Sequence, residues 1–205
     1  YTIPMAIFPA MILARTGNDE LAFGSIQSAG AIGGLVGGLA LSAWGGFHRR
    51  VHVVLLGWLA SGILMIVLGF FRSLPWWLAF NFAMVFCSPL INASNQAIWQ
   101  AKVAPDVQGR VFAARRLIAW LVTPLSRLVA GPLADYVFEP AMQENGALAD
   151  AFGALVGWGE GAGMALIFVL FGALSGLVGL SGYLVPVVRE AESRLPDHRA
   201  VGETA

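Results

Sequence analysis

Polar side chains recur at regular intervals in one apolar stretch of this sequence, between Trp76 and Trp99. They are separated by 7, 4, 3, 1 and 3 residues, which places them on one face of a helix with 3.6 residues per turn. This polar face consists of Asn81, Ser88, Asn92, Asn95, Gln96 and Trp99. Amide groups that faced lipid would lack hydrogen-bond partners, so the face must meet protein or water. Two interpretations stay open: the amides bond neighbouring helices, or they line a water-filled pathway.

A single cation, Arg127, interrupts another apolar stretch, residues 117–137. Counting from Arg116 at its edge puts Arg127 about 16 Å along a helix, near the middle of a bilayer. Burying an arginine there costs about 2.5–3.5 kcal/mol by insertion scales. Thr123 and Trp120 lie on the same predicted helical face. Either backbone carbonyls or an acid from another helix satisfy Arg127, or it is a fixed positive charge that meets an anionic or polar substrate in an aqueous cavity.

The remaining residues indicate neither an enzyme nor a cofactor or metal site. His48, His52 and His198 lie in or beside predicted loops and lack metal-ligand spacing. The formal net charge is zero, so no basic patch for nucleic acid is indicated. The single cysteine, Cys87, cannot form a disulfide within the chain.

The elements that hold these residues are predicted to be membrane helices. Of 205 residues, 58% are hydrophobic and 12% charged, against about 45–50% and 25% in soluble proteins. The mean hydropathy is +0.73. Crossing a bilayer takes about 20 apolar residues, and the predicted spans are residues 1–14, 21–44, 51–71, 76–99, 117–137 and 161–188. The first is short and is interpreted as the end of a truncated span, and residues 189–205 as a tail. We therefore predict an all-α integral membrane bundle.

Basic residues predict the orientation of these spans. If the loops alternate sides, nine of the 12 basic residues fall on one side and two, Arg15 and Arg72, on the other. The nine are Arg49, Arg50, Lys102, Arg110, Arg115, Arg116, Arg189, Arg194 and Arg199. The positive-inside rule assigns their side, and the C-terminus, to the cytoplasm.

Small residues at intervals of four predict close helix packing. In the second predicted span these are Gly30, Gly34 and Gly38, with Gly33 and Gly37 as a second pair. In the last span they are Gly172 and Gly176, with Ser175 and Gly179.

Two motifs carry a resemblance to a known family. Residues 105–112 read PDVQGRVF, and residues 130–135 read AGPLAD. With the pattern of six spans, they resemble the C-terminal half of a major facilitator superfamily transporter, in the drug–proton antiporter branch that includes macrolide and enterobactin exporters. The glycine- and arginine-containing segment 38–50 is loosely similar to the family's loop signature, and Ser42 stands where the signature has an acid.

The resemblance implies a six-helix half of a twelve-helix fold, with its first helix truncated here. The first, second, fourth and fifth helices would line a cavity, and the third and sixth would face outward. Two inner loops would act in gating, one with Arg49 and Arg50 and the other with Gly109 and Arg110.

The implied function is proton-coupled efflux of a drug-like or siderophore-like small molecule by alternating access, in the bacterial inner membrane. The implied partners are the bilayer, an N-terminal half, the substrate and protons, whose carrier would lie in that other half. The predicted pathway residues are Arg127, Asn92, Asn95, Gln96, Ser88, Thr123 and Trp120. The alternative is a membrane scaffold or assembly subunit that does not transport, whose polar face would be dry.

Overall fold

The structure, a computed structural model, describes residues 1–46 and 49–194. Within these ranges the chain is almost entirely helical and contains no β-strand. His48, His198, Arg199 and the predicted tail beyond residue 194 lie outside the described residues.

Ten helices follow one another along the described chain. They are α1 (Thr2–Thr16), α2 (Glu20–Trp44), α3 (Arg50–Phe70), α4 (Leu74–Lys102), α5 (Pro105–Pro132), α6 (Glu139–Ala141), α7 (Ala149–Val156), α8 (Ala162–Leu184), α9 (Pro186–Arg189) and α10 (Ala191–Arg194). A π-helical turn, Leu133–Phe138, joins α5 to α6. Five segments of the described chain are long and apolar enough to cross a membrane: α2, α3, α4, α8 and the continuous segment from α5 to α6.

The helix that carries Arg127 begins well before the predicted span of residues 117–137. It begins at Pro105, because proline fits the first turn of a helix, where an N–H would lack a partner in any case. Gly109 and Arg110 therefore lie in the first turns of α5, and the prediction of a loop there was wrong. The stretch of apolar residues located only part of this helix. The prediction therefore missed the turns that precede residue 117.

The last long helix is shorter than predicted and more deeply buried. It ends at Leu184, and Val185 is extended, because the residue before a proline, here Pro186, avoids the helical region. Its first two turns, from Ala162 to Phe168, are buried in the core. The expectation that the third and sixth helices face outward from a cavity stays a prediction.

Close contact between glycine-bearing helices organises the bundle, as predicted. The helices α2 and α4 pack extensively, as do α3 and α8. A Cβ atom at Gly33 or Gly37 would overlap the backbone carbonyl of Phe82 or Phe86 on α4. Gly172 of α8 approaches α3 in the same way. Gly38, by contrast, has open space beside it, so only part of the glycine pattern makes contacts in this chain.

The two ends of the bundle differ in packing. At the end that contains Arg15, the core includes Met11, Ile12, Leu68 and Phe168. The segment between α6 and α8 covers this end, and its Met142 and Val156 are also buried. The opposite end, which contains Arg50, retains an open cavity. These ends are called the Arg15 end and the Arg50 end below.

Candidate substrate pathway

The polar face of α4 begins with a residue that serves helix packing. Asn81 is buried, and its Nδ2 donates a 2.7 Å hydrogen bond to the carbonyl oxygen of Ile26 on α2. The carbonyl of Ile26 can accept this bond because Gly30, one turn further along α2, leaves room for the amide. At Asn81 the helix-packing interpretation therefore holds.

The next residues of this face lie in more open surroundings. Asn92 is exposed, and its Nδ2 donates hydrogen bonds of 2.9 Å to the Ser88 carbonyl and 3.1 Å to the Ser88 hydroxyl. Gln96 is also exposed, and Asn95 is half-buried. Within the described chain, Asn95 and Gln96 make no side-chain hydrogen bond. Both amides therefore remain available to water or a solute.

Two cavities border the same face of α4. One, of about 300 Å³, lies between α1, α2 and α4, and Gln27 and Asn81 contribute its amide groups. The other, of about 170 Å³, lies between α3, α4 and α8. Its polar lining is Ser61, Ser88, Asn92 and Ser175. Tyr1 and Met84 line both cavities. Polar groups from three other long helices, α2, α3 and α8, therefore lie around the middle of α4.

The predicted residues of α5 lie apart from this face. The helix packs mainly on α1, where the hydroxyls of Thr2 and Ser126 are 2.6 Å apart. Arg127 is exposed and makes neither a hydrogen bond nor an ion pair with any described residue. Trp120 is 71% exposed. The hydroxyl of half-buried Thr123 donates to the carbonyl of Ala119 in its own helix, so the structure does not bring these residues onto the α4 face.

Contacts between α4 and α5 concentrate at the Arg50 end. The guanidinium of Arg115 lies 4.3 Å from the ring centroid of Trp99, a favourable cation–π distance. Gln108 Nε2 donates to the carbonyls of Gln100 and Val103, closing the short turn between the helices. Beyond this turn the two helices diverge.

The other predicted gating residues lie at the same end but do not form one cluster. Arg49 is exposed at the start of α3, and Arg50 Nη1 lies 3.5 Å from the carbonyl oxygen of Ala97. Gly109 has no neighbour that a Cβ atom would touch. The α9–α10 segment docks here through Glu192, whose carboxylate accepts from the Val51 backbone N–H. In the same segment, hydrogen bonds from Arg194 and Arg189 lower the pKa of exposed Glu190.

A charged cluster at the Arg15 end was not predicted. Arg15 donates hydrogen bonds to the carbonyl oxygens of Gly69, at 2.9 Å, and Val156, at 2.7 Å. Arg72 donates to the same Val156 oxygen at 2.8 Å. The Glu139 carboxylate accepts backbone N–H bonds from Gly161 and Met164 at the start of α8. The arginine contacts tie α1, α3 and α7 together, and the Glu139 contacts tie α6 to the start of α8.

Neither the cluster nor the cavities carry a sequence signal that could have revealed them. Glu139 accepts from the N–H groups of Gly161 and Met164 across 22 and 25 residues of chain, whereas a recognisable N-terminal capping pattern is local. The acceptors of Arg15 are backbone carbonyls, which carry no residue-specific signal. Gln27 and Ser61 line cavities, and no periodic polar pattern marks either residue in its helix.

Comparison with known proteins gives limited but consistent similarity. No protein-family model matches the sequence, and no solved structure matches it significantly. The chain is similar to multidrug efflux pump Tap of Mycolicibacterium fortuitum, with 28% identity over 129 residues, 63% of this chain and 31% of that protein. It is also similar to macrolide efflux protein A of Streptococcus pyogenes, with 25% identity over 138 residues, 64% of this chain and 33% of that protein.

The matched region spans about a third of the length of these curated relatives. The similarity and the five apolar helices together indicate a multi-pass membrane protein related to efflux transporters. Both relatives are named as efflux proteins, which favours a transporter over an enzyme.

Proposed function

We propose that this chain is one half of a secondary transporter of the major facilitator type, and that the transporter exports a drug-like or siderophore-like small molecule. The observation that carries the proposal is the exposed amide pair of α4, Asn92 and Gln96, in a helix apolar enough to span a membrane. Amides cannot face hydrocarbon without losing hydrogen bonds. Similarity to two efflux proteins supports export as the activity.

In the proposed mechanism, the α4 face and α5 surround a central site together with a second half. Asn92, Asn95 and Gln96 donate hydrogen bonds to the substrate, and Ser88 orients Asn92 through the two short bonds between them. Arg127, which has no partner among the described residues, attracts an anionic or polar group. Thr123 and Trp120 border Arg127 on α5. Alternating access then follows from rocking of the two halves around this site.

The Arg50 end is proposed to face the cytoplasm, because the basic residues concentrate there. The Arg115–Trp99 contact and the Gln108 turn hold α4 and α5 together at this end. Proton entry is proposed to drive export, with the proton carrier in the other half. The packed core at the Arg15 end supplies a rigid region about which the less packed Arg50 end can move.

Cysteine labelling in the whole protein tests whether the α4 face is wet. In a background with Cys87→Ser, the variants Asn92→Cys and Gln96→Cys should react with a small, charged, membrane-impermeant thiol reagent. Leu177→Cys is the matched control, because Leu177 is 61% exposed but lies on the apolar surface of α8. Its thiol should not react, since hydrocarbon excludes both the thiolate and the reagent. Saturating substrate should slow labelling at Asn92→Cys.

Protection of both α4 positions in every condition, equal to that of the control, would overturn the pathway and favour a scaffold. Labelling of all three positions would mean that the reagent reaches the membrane interior or that the protein is unfolded. The reactivity of Cys87 in the wild-type protein, measured in detergent before and after denaturation, distinguishes those two cases.

A further inference from the structure

A pocket at the Arg50 end lies outside the α4 pathway. It has a volume of about 530 Å³ and lies between the end of α2, the start of α3 and the second half of α4. Its lining residues are Leu41, Ser42, Gly45, Gly46, Arg50, Ala93, Ser94 and Ala97. Among the described lining residues, most are small or apolar, and Arg50 is the one with a charged side chain. This cavity is called the Arg50 pocket below.

Arg50 has far more hydrogen-bonding capacity than the described chain uses. Its guanidinium carries five N–H donors, and its one contact is the 3.5 Å approach to the Ala97 carbonyl, at the limit of hydrogen-bond length. No carboxylate of a described residue forms an ion pair with it. Arg50 is half-buried and lines an open pocket, so its unused donors can bind water or an anion there.

Ser94 supplies a second hydrogen-bond donor to the pocket. Four polar side chains are buried in the described chain: Asn81, Ser94, Ser126 and Ser175. Asn81, Ser126 and Ser175 each form a hydrogen bond. Ser94, at 6% exposure, forms none with any described residue, and even the common bond to the carbonyl four residues earlier is not made. No buried side-chain N or O atom of the described residues lacks a hydrogen-bond partner, so the Ser94 hydroxyl is accessible from the pocket that Ser94 lines and can donate to an acceptor there.

We propose that the Arg50 pocket binds the phosphate of an anionic membrane lipid. A phosphate diester brings one negative charge for Arg50 and oxygen acceptors for Ser94, a combination that guanidinium and hydroxyl groups recognise well. Ser42, at the pocket wall, presents a hydroxyl that leaves room for the anion. Exposed Arg49 adds positive charge beside the pocket.

The surface next to the pocket favours a lipid over a free anion. Leu35 and Leu39 are exposed, at 65% and 63%, and their spacing puts them on the same face of α2 as Ser42. An apolar strip thus leads from the pocket along the helix toward the middle of the bundle, as acyl chains attached to a bound phosphate would require. Free phosphate would make no use of this strip.

Lipid binding to the whole protein tests the proposal without a transport assay. Protein in neutral detergent is mixed with phosphatidylglycerol or with phosphatidylcholine, and bound lipid is counted by native mass spectrometry. Phosphatidylglycerol should bind at a saturable site, and Arg50→Gln should weaken that binding by about tenfold or more, the usual effect of losing one charge-assisted hydrogen bond. Ser42→Asp should abolish it, because the new carboxylate pairs with Arg50 and repels phosphate.

The control is Arg194→Gln, which removes an exposed cation from the same end but not from the pocket. It should leave phosphatidylglycerol binding within about twofold of the wild-type value, as expected for a screened surface charge. Thermal unfolding of each variant shows whether the protein still folds. Because Ser42→Asp supplies a negative charge for Arg50, that variant should be at least as stable as the wild type in lipid-free detergent.

Three results would overturn the proposal. Unchanged phosphatidylglycerol binding in Arg50→Gln would place the lipid elsewhere. Full competition by millimolar inorganic phosphate would identify a site for a free anion. Absence of saturable lipid binding in the wild type would indicate that a carboxylate of another protein segment fills the pocket.

Discussion

Replacement of Arg15 and Arg72, separately and together, tests how the Arg15 end is held closed. Arg15 bonds the carbonyls of Gly69 and Val156, and Arg72 bonds only Val156. Both carbonyls lie in the last turn of a helix, where intrahelical N–H partners are missing. The Val156 oxygen thus has two donors, whereas the Gly69 oxygen depends on Arg15.

The costs of substitution follow from this arrangement. Arg15→Gln strands the buried Gly69 carbonyl, and the free energy of unfolding should fall by about 2 kcal/mol, within the 1–3 kcal/mol typical of an unsatisfied buried group. Arg72→Gln leaves Val156 bonded to Arg15, so its cost should stay below about 1 kcal/mol. The double variant strands both carbonyls, and its cost should exceed the sum of the single costs by about 1–2 kcal/mol.

The measurement is reversible unfolding of the whole protein in mixed micelles of a mild and a denaturing detergent, analysed as a double-mutant cycle. Arg15→Lys is the charge control, because one ammonium can reach one of the two carbonyls and should recover only part of the loss. Strictly additive costs, or an Arg72→Gln variant as unstable as Arg15→Gln, would refute the shared role of the Val156 oxygen.

Four further substitutions and one fusion test the fold, the pathway and the orientation. Gly33→Ala should lower the free energy of unfolding by about 1–3 kcal/mol, because the added methyl group forces α2 away from α4. The methyl group of Gly38→Ala meets open space, so this variant should change the free energy of unfolding by less than about 0.5 kcal/mol. Arg127→Gln should abolish export of an anionic substrate while leaving the thermal stability of the whole protein unchanged, and Arg127→Lys should retain part of the export activity. Normal export by Arg127→Gln would exclude the substrate role. A large loss of stability in that variant would show that a partner acid had been stranded. A reporter fused after Arg199 should be active only in a cytoplasmic form, and activity only in the periplasm would reverse the proposed orientation.

The helices and their pairing could be predicted from the sequence because both depend on local patterns. Charge-free stretches located all five long apolar helices to within a few residues, except at the start of α5 and the end of α8. In both cases a proline moved the boundary, Pro105 by starting a helix and Pro186 by ending one. The contact of Gly33 and Gly37 with α4 followed from their spacing, because small residues permit close backbone approach.

The surroundings of single polar residues could not be predicted in the same way. Asn81 and Asn92 occupy the same face of α4, yet Asn81 is buried against α2 and Asn92 is exposed. The difference arises because α2 approaches only one part of α4, which periodicity along α4 does not reveal. Arg127 was predicted to lie at mid-membrane depth, with a structural and a substrate-binding interpretation both left open, and the structure has it exposed in this chain. Its depth depends on position within α5, whereas its burial depends on what packs beside that helix.

The π-helical turn at Leu133–Phe138 has a consequence for how this segment tolerates insertions and deletions over evolution. A π turn accommodates one residue more than the α-helix it interrupts, so it absorbs the rotation of about 100° that an added residue would otherwise impose on the following helix. Deleting one residue here would restore α-helical winding and leave the glutamate at position 139 near the backbone N–H groups of Gly161 and Met164. A homologue one residue shorter in this turn can therefore make the same contact with an uninterrupted helix. An alignment that places its gap within Leu133–Phe138 and pairs glutamate with glutamate would match the contact as well as the residue.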